Sequence, residues 1–309
     1  MKILVLGSEG AIGTHLVPML HKSLPSANII RTSRTLLTDQ KDSADSKILV
    51  GDLLDTKFVS SIFKENDIQV VIFCAAKWNG INQDPTVLDV NVRMFSNVLS
   101  FLTKSVTNFI YLSSSAVYGD EMFVETQKIK KLPNSTYGKS KLINEILLSN
   151  KAEIDNFATT IYRPFHVVSP AEKYNPGKSH ITTDFAHRYI DLDSDFDWKS
   201  LRDDIFIPFY WVDDICKIIV ENIFNQNFFG KTFNIGSSNS YSIKDLAQCI
   251  AIISSKYGLS KKYFPELKSE LAPLENDTVS HLYTIISKDE DRNLMEIVEM
   301  FLLKKYNLS

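Results

Sequence analysis

Tyr137 and Lys141, in Tyr137-Gly138-Lys139-Ser140-Lys141, stand four residues apart. On a helix that spacing puts both side chains on one face, about a turn from each other. A free phenol has a pKa of about 10 and is a poor acid–base catalyst at neutral pH. An ammonium group beside it favours the phenolate, so the pair can take or give a proton near neutrality. Upstream, an apolar run ends in Tyr111-Leu112-Ser113-Ser114-Ser115-Ala116-Val117-Tyr118-Gly119. A serine hydroxyl at the carboxyl end of a central strand points into a ligand crevice, where it can hydrogen-bond a reacting oxygen.

The partner for that proton chemistry is suggested near the start of the chain. Gly7-Ser8-Glu9-Gly10-Ala11-Ile12-Gly13 follows the apolar run 3–6 and opens a helical pattern. Glycine at the tight-turn and close-approach positions lets a pyrophosphate reach backbone N–H groups and the positive helix end. The expected ligand is a nicotinamide dinucleotide bound by Gly7, Gly10, Ala11, Ile12 and Gly13. Its positive ring would add to Lys141 in favouring the Tyr137 phenolate. The second strand ends in Ile29-Ile30-Arg31-Thr32-Ser33-Arg34, with no acid for a ribose 2′-hydroxyl. Guanidinium groups suit a 2′-phosphate, so Arg31 and Arg34 favour NADP(H) over NAD(H). Glu9, inside the glycine loop, opposes it.

Short β-rich runs at 3–6, 28–32, 47–50, 70–74, 108–112 and 158–162 alternate with helical patterns at 12–23, 56–65, 87–102 and 138–148. Several runs are almost wholly apolar, as strands covered on both faces must be. The alternation predicts an α/β fold, a Rossmann-type doubly wound parallel sheet with every strand's carboxyl end on one edge. After Arg163-Pro164 the rhythm breaks, and residues 165–204 show no sustained periodicity. Helical patterns return at 213–224, 243–256 and 294–304, with a strand at 231–235. The division expected is a nucleotide-binding domain over 1–164, to which 206–236 returns, and a smaller mixed α/β substrate lobe over 165–309.

Of the 309 residues 44% are hydrophobic and 23% charged, which fits a globular protein. A formal net charge of −3 offers no basic excess for a phosphate backbone, so nucleic acid is not an expected partner. Cys74, Cys216 and Cys249 are far apart, and the six histidines show no HxxxH-type pairing, so neither disulfides nor a metal are expected. No apolar stretch approaches the roughly 20 residues that span a bilayer. The expected location is the cytoplasm, with no membrane partner.

At this point the chain resembles the extended short-chain dehydrogenase/reductase superfamily, the NAD(P)-dependent epimerase/dehydratase group, over roughly residues 1–250. Gly51-Asp52-Leu53-Leu54-Asp55 is similar to the family's GDLxD, which implies that Asp52 and Leu53 lie at the adenine. Val71-Ile72-Phe73-Cys74-Ala75-Ala76 resembles VxHxAA, with Cys74 for His, placing Ala75 and Ala76 against the cofactor. Arg163-Pro164-Phe165-His166-Val167-Val168-Ser169-Pro170 resembles RPxNVYGP, with His166 for Asn and Ser169 for Gly; Pro164 and His166 then border the cofactor. Asn91 matches the family's helix-four asparagine, and the SSxxVYG pattern puts the catalytic serine at Ser114. A homodimer is also implied.

Two stretches are similar to the GDP-L-fucose synthases: Ala75-Ala76-Lys77-Trp78-Asn79-Gly80-Ile81 and Asn175-Pro176-Gly177-Lys178-Ser179-His180-Ile181. That likeness makes His180 a candidate acid. Where those enzymes carry a proton-transferring cysteine this chain has Ala116, and the carboxyl pair of the dehydratases is absent too. The expectation is hydride transfer at C4 of a nucleotide sugar by Ser114, Tyr137 and Lys141, as a 4-keto reductase or a 4-epimerase. Other readings are a non-catalytic NADP sensor and a reductase of a non-nucleotide ketone. Arg188 and Arg202 are further candidates for a diphosphate.

Overall fold

The computed structural model describes residues 1–35, 46–78, 80, 84–123, 131–192, 201, 204–259, 274–275 and 292–308. Asn79, Ile81 and Arg202 lie outside the described residues.

The apolar runs become strands because only a sheet covered on both faces can hide them. These are β1 (Lys2–Leu6), β2 (Asn28–Ser33), β3 (Ser46–Val50), β4 (Val70–Phe73), β5 (Asn108–Leu112) and β6 (Ala158–Pro164). Every residue of β4 and β5 is buried. Side chains alternate between two cores: Ile3 and Val5 of β1 face one, Leu4 and Leu6 the other. The helices between the strands are α1 (Gly13–Ser23), α2 (Thr56–Glu65), α3 (Pro85–Ser100) and α4 (Thr136–Asp155). Asp55, Asp84 and Ser135 cap the last three by accepting from a backbone N–H, whereas α1 begins without a side-chain cap. Helix α4 runs beyond the expected 148, held by the Lys151–Asp155 ion pair at 2.9 Å, and stops where Asn156 turns left-handed at φ 57.

Past β6 come β7 (His166–Val168), α5 (Ile181–Ala186), β8 (Phe206–Ile207), β9 (Phe209–Trp211), α6 (Val212–Asn222), β10 (Lys231–Ile235), β11 (Asn239–Ser242), α7 (Ile243–Lys256), β12 (Leu274–Glu275) and α8 (Leu294–Lys305). The main sheet has seven strands in the order β10-β6-β5-β4-β1-β2-β3. All its pairings are parallel. Strand order reverses between β1 and β4, which opens a crevice at their carboxyl ends. The fold is the expected Rossmann-like α/β architecture, and β10 joins its sheet beside β6.

Residues 181–191, expected to be irregular, form α5 and a following π turn. Phe185 and Tyr189 bury one face there, a four-residue repeat too short to register as periodicity. The C-terminal elements share a core with the sheet, since Trp211, Ile250 and Phe301 belong to the same apolar cluster as Ile3 and Leu16. Asp213 at the start of α6 ties three helices: it meets His15 of α1 at 2.5 Å and Lys304 of α8 at 2.8 Å. Among the described residues no helix is long and apolar enough to cross a membrane.

Candidate active site

Ser135 caps α4 through the Gly138 N–H at 3.0 Å, which sets Tyr137 in the first turn and Lys141 one turn on. A β-carbon on Gly138 would sit 2.2 Å from the Ala116 carbonyl oxygen, so glycine lets the helix start press against the serine-rich turn after β5. That approach brings the three expected groups together. Ser114 lies at the Tyr137 phenol, and its Oγ accepts from the Ala116 N–H at 3.1 Å. Lys141 Nζ lies 5.5 Å from the Tyr137 ring centroid and donates to the Leu112 carbonyl at 2.6 Å.

Burial pushes the Tyr137 phenol up to about 12, with the Ser114 hydrogen bond acting the other way. Burial likewise brings Lys141 down to about 8, while the Cys74 thiol and Glu145 counter that fall. Burial raises Cys74 to about 12, so the residue standing where the family has histidine is a neutral thiol.

Behind the three lies a buried network. Glu145, one turn beyond Lys141, accepts from Ser113 Oγ at 2.6 Å, Arg163 Nε at 2.8 Å and a second Arg163 nitrogen at 2.5 Å. Burial alone would raise its carboxyl, but Arg163, Ser113 and Lys131 outweigh that and hold it below the ordinary value. Arg163 also donates to Tyr118 Oη at 2.7 Å, which in turn donates to Asn234 at 2.8 Å. One carboxylate therefore links α4, the turn after β5, β6 and, through Tyr118, β10. The sequence reading had missed Glu145, although its place four residues after Lys141 was a readable signal.

The glycine loop occupies the switch-point crevice. Gly7 has φ +84, and a β-carbon there would lie 2.6 Å from the Ala75 N; one on Gly13 would lie 2.4 Å from the Gly7 carbonyl oxygen. Gly10 is exposed and donates to the Gly7 carbonyl at 3.1 Å. The Ala11 carbonyl accepts from Ser169 at 2.8 Å and that of Ile12 from the Leu16 N–H at 2.9 Å, and α1 begins with no side-chain cap on its first N–H groups. This bare backbone cradle fits a pyrophosphate. Ala75 borders it, Ala76 is exposed, and Pro164 closes β6 in the buried wall. Asp52 is exposed and accepts from the Leu54 N–H at 2.8 Å, with Leu53 buried beneath. Arg31 Nη1 lies 3.8 Å from Glu9 Oε1, and Arg34 is exposed.

Two further residues expected to border the cofactor make contacts within the protein. Asn91 accepts from the Lys77 N–H at 2.6 Å and donates to the Lys77 carbonyl and Ser140, so it holds the loop after β4 against α4. His166 packs against His180 and Phe209 at ring-centroid distances of 5.6 and 4.9 Å. Burial, with His180 adding to it, lowers His166 to about 3 and keeps its imidazole neutral.

His180 lies on the far side of the crevice. Its ring stacks on Trp78 at 5.2 Å and 6°, and Trp78 meets the Tyr137 ring edge-on at 4.9 Å. His180 Nδ1 is 2.7 Å from Glu172 Oε1, and Thr183 donates to Glu172 Oε2 at 2.6 Å. Burial would raise Glu172, but the bonds from His180 and Thr183 prevail and hold it near about 2. Trp78 and Glu172 were not legible as site residues, because loops with no periodicity carry them. Arg188 pairs with Asp184 at 2.8 Å. Among the described residues no group of three or more metal-ligating side chains gathers.

A family model described as "NAD dependent epimerase/dehydratase family" matches residues 3–236. UDP-glucose 4-epimerase of Pasteurella multocida is 35% identical over 185 residues, 56% of this chain and 55% of that enzyme. The chain thus spans about half the length of such curated relatives. UDP-glucose 4-epimerase of Thermotoga maritima, solved with UDP-glucose, aligns over 100% of both chains with a TM-score of 0.73 and 21% identity. The Bordetella bronchiseptica enzyme WbmH, solved with NAD+, aligns over 99% of both with a TM-score of 0.74 and 19% identity. Those two likenesses bear on the fold.

Proposed function

The chain belongs to the NAD dependent epimerase/dehydratase family, and we propose that within it the protein is a 4-epimerase of a uridine-diphosphate hexose. The observation that carries this reading is the convergence of Ser114, at the phenol, and Lys141, beside the ring, on Tyr137 at the carboxyl edge of the sheet. Curated relatives that are UDP-glucose 4-epimerases support the substrate class.

Tyr137 would take the proton of the C4 hydroxyl as a phenolate, a form that the positive ring of a bound nicotinamide would favour against the burial that raises its phenol. Lys141 stabilises that phenolate electrostatically, and Ser114 donates to the reacting oxygen. A nicotinamide dinucleotide held by the Gly7–Gly13 loop would supply the hydride chemistry at C4. The flat 4-keto sugar turns its opposite face, and Tyr137 gives the proton back to the oxygen. Ala116 brings neither a carboxyl nor a thiol to the next turn, so nothing there eliminates water. His180, oriented by Glu172 and backed by Trp78, is assigned to the sugar side as a proton or hydrogen-bond donor.

Arg31 and Arg34 favour a second reading, a 4-keto reductase that consumes NADPH. Purified protein incubated with 4-hydroxy and 4-keto sugar nucleotides, with NAD+ or NADPH, separates the two. Interconversion of C4 epimers without net absorbance change supports the epimerase; stoichiometric NADPH oxidation replaces it with the reductase. We also assign a homodimer in which α4, with Ile143, Ile146 and Ile154 exposed, faces a second copy. Sedimentation equilibrium checks this, and a monomer at micromolar concentration contradicts it.

A further inference from the structure

The end of β2 carries no acid among the described residues, yet the structure brings one there from another segment. The glycine loop leans on the β2 terminus: Gly7 N–H points to Thr32 Oγ1 at 3.4 Å, and Ser8 Oγ lies 3.0 Å from the Thr32 carbonyl. The same Ser8 hydroxyl lies 2.9 Å from Glu9 Oε1, and Arg31 Nη1 approaches that oxygen at 3.8 Å. Glu9 Oε1 is thus oriented from two sides. Glu9 Oε2 is buried and has no hydrogen-bond partner among the described residues.

A buried carboxylate oxygen without a donor is costly, so its place in a ligand crevice calls for a donor from the ligand. In dinucleotide folds the ribose that bears the adenine lies where the glycine loop meets the end of the second strand, and its 2′-hydroxyl seeks an acid there. We propose that Glu9 is the specificity-determining residue of this crevice: it accepts the ribose 2′-hydroxyl of NAD(H) and excludes a 2′-phosphate by charge. Arg31 then serves to fix Glu9 through its approach to Oε1, which leaves Oε2 toward the ribose. The basic strand end that favours NADP(H) in sequence becomes part of an NAD(H) site.

This inference rests on the dinucleotide reading of the crevice, but not on the sugar chemistry, so its test uses binding alone. Titration calorimetry without sugar nucleotide would compare NAD+, NADP+ and 2′-deoxy-NAD+ on the wild-type chain, Glu9→Ala and the isosteric Glu9→Gln. The wild type should bind NAD+ at least roughly tenfold more tightly than NADP+. Glu9→Ala should lose roughly tenfold for NAD+ while 2′-deoxy-NAD+ changes by less than about twofold. Both variants should gain affinity for NADP+. Tighter NADP+ binding by the wild type overturns the proposal. So does an equal loss of NAD+ and 2′-deoxy-NAD+ in Glu9→Ala, which would make Glu9 a support of loop shape only. If NAD+ binds but the preference is wrong, the epimerase reading survives; if no dinucleotide binds, both fall.

Discussion

The two walls of the crevice are built by different means. Tyr137, Lys141 and Ser114 stand on a capped helix and a strand end, cross-linked from behind by Glu145 and Arg163. Trp78, His180 and Glu172 stand on loops, held by ring stacking and one carboxylate. Regular elements over-determine the first wall, so small changes in the second should alter which substrate is held more than whether the proton moves. Chemistry is assigned to the rigid wall and sugar recognition to the loop wall.

The largest effect should come from the rigid wall. Tyr137→Phe removes the proton carrier, and kcat should fall by roughly 10²–10⁴-fold with dinucleotide binding retained. Wild-type turnover in that variant would end the assignment. Glu145→Ala leaves Arg163 buried without its partner, and chemical denaturation should show a loss of about 3–5 kcal/mol. A loss under about 1 kcal/mol would mean that the network does not brace the wall.

Smaller effects should belong to the loop wall. Glu172→Gln weakens the hold on His180, and KM for the sugar nucleotide should rise roughly tenfold with kcat changed less. A fall in kcat alone would move His180 from recognition to catalysis and blur the comparison. The smallest effect is a pH dependence. Lys141, lowered to about 8, is charged below that value and loses its charge as pH rises through it, so the rate should decline on the alkaline side. A rate flat through pH 8 would show that its charge is not used.

The contrast also explains what could be read without coordinates. Tyr137 and Lys141 were visible because helical spacing alone puts them on one face, and the strands because their apolar runs have no other way to be buried. The same logic reached to Ser114, whose turn follows directly from β5. It did not reach Trp78, which is near His180 only because two loops converge, nor Glu172, which meets His180 within one aperiodic segment, nor α5, whose buried face spans a single repeat. For Asn91 and His166 the sequence motif gives a region but not the protein contacts that hold them. Their hydrogen-bond and ring partners come from segments distant in sequence. Glu9 and Arg31 are legible in sequence as opposing signals for the cofactor, but their contact joins the glycine loop to β2 and no local pattern shows it.

The central claim is that a hydride leaves and returns to C4 while Tyr137 handles only the hydroxyl proton. Incubating the protein with UDP-hexose deuterated at C4 tests it directly by mass and NMR analysis of both epimers. Full retention of deuterium at C4 in the product is predicted. Exchange of that deuterium with solvent would mean that the hydrogen leaves as a proton, and the account would be wrong.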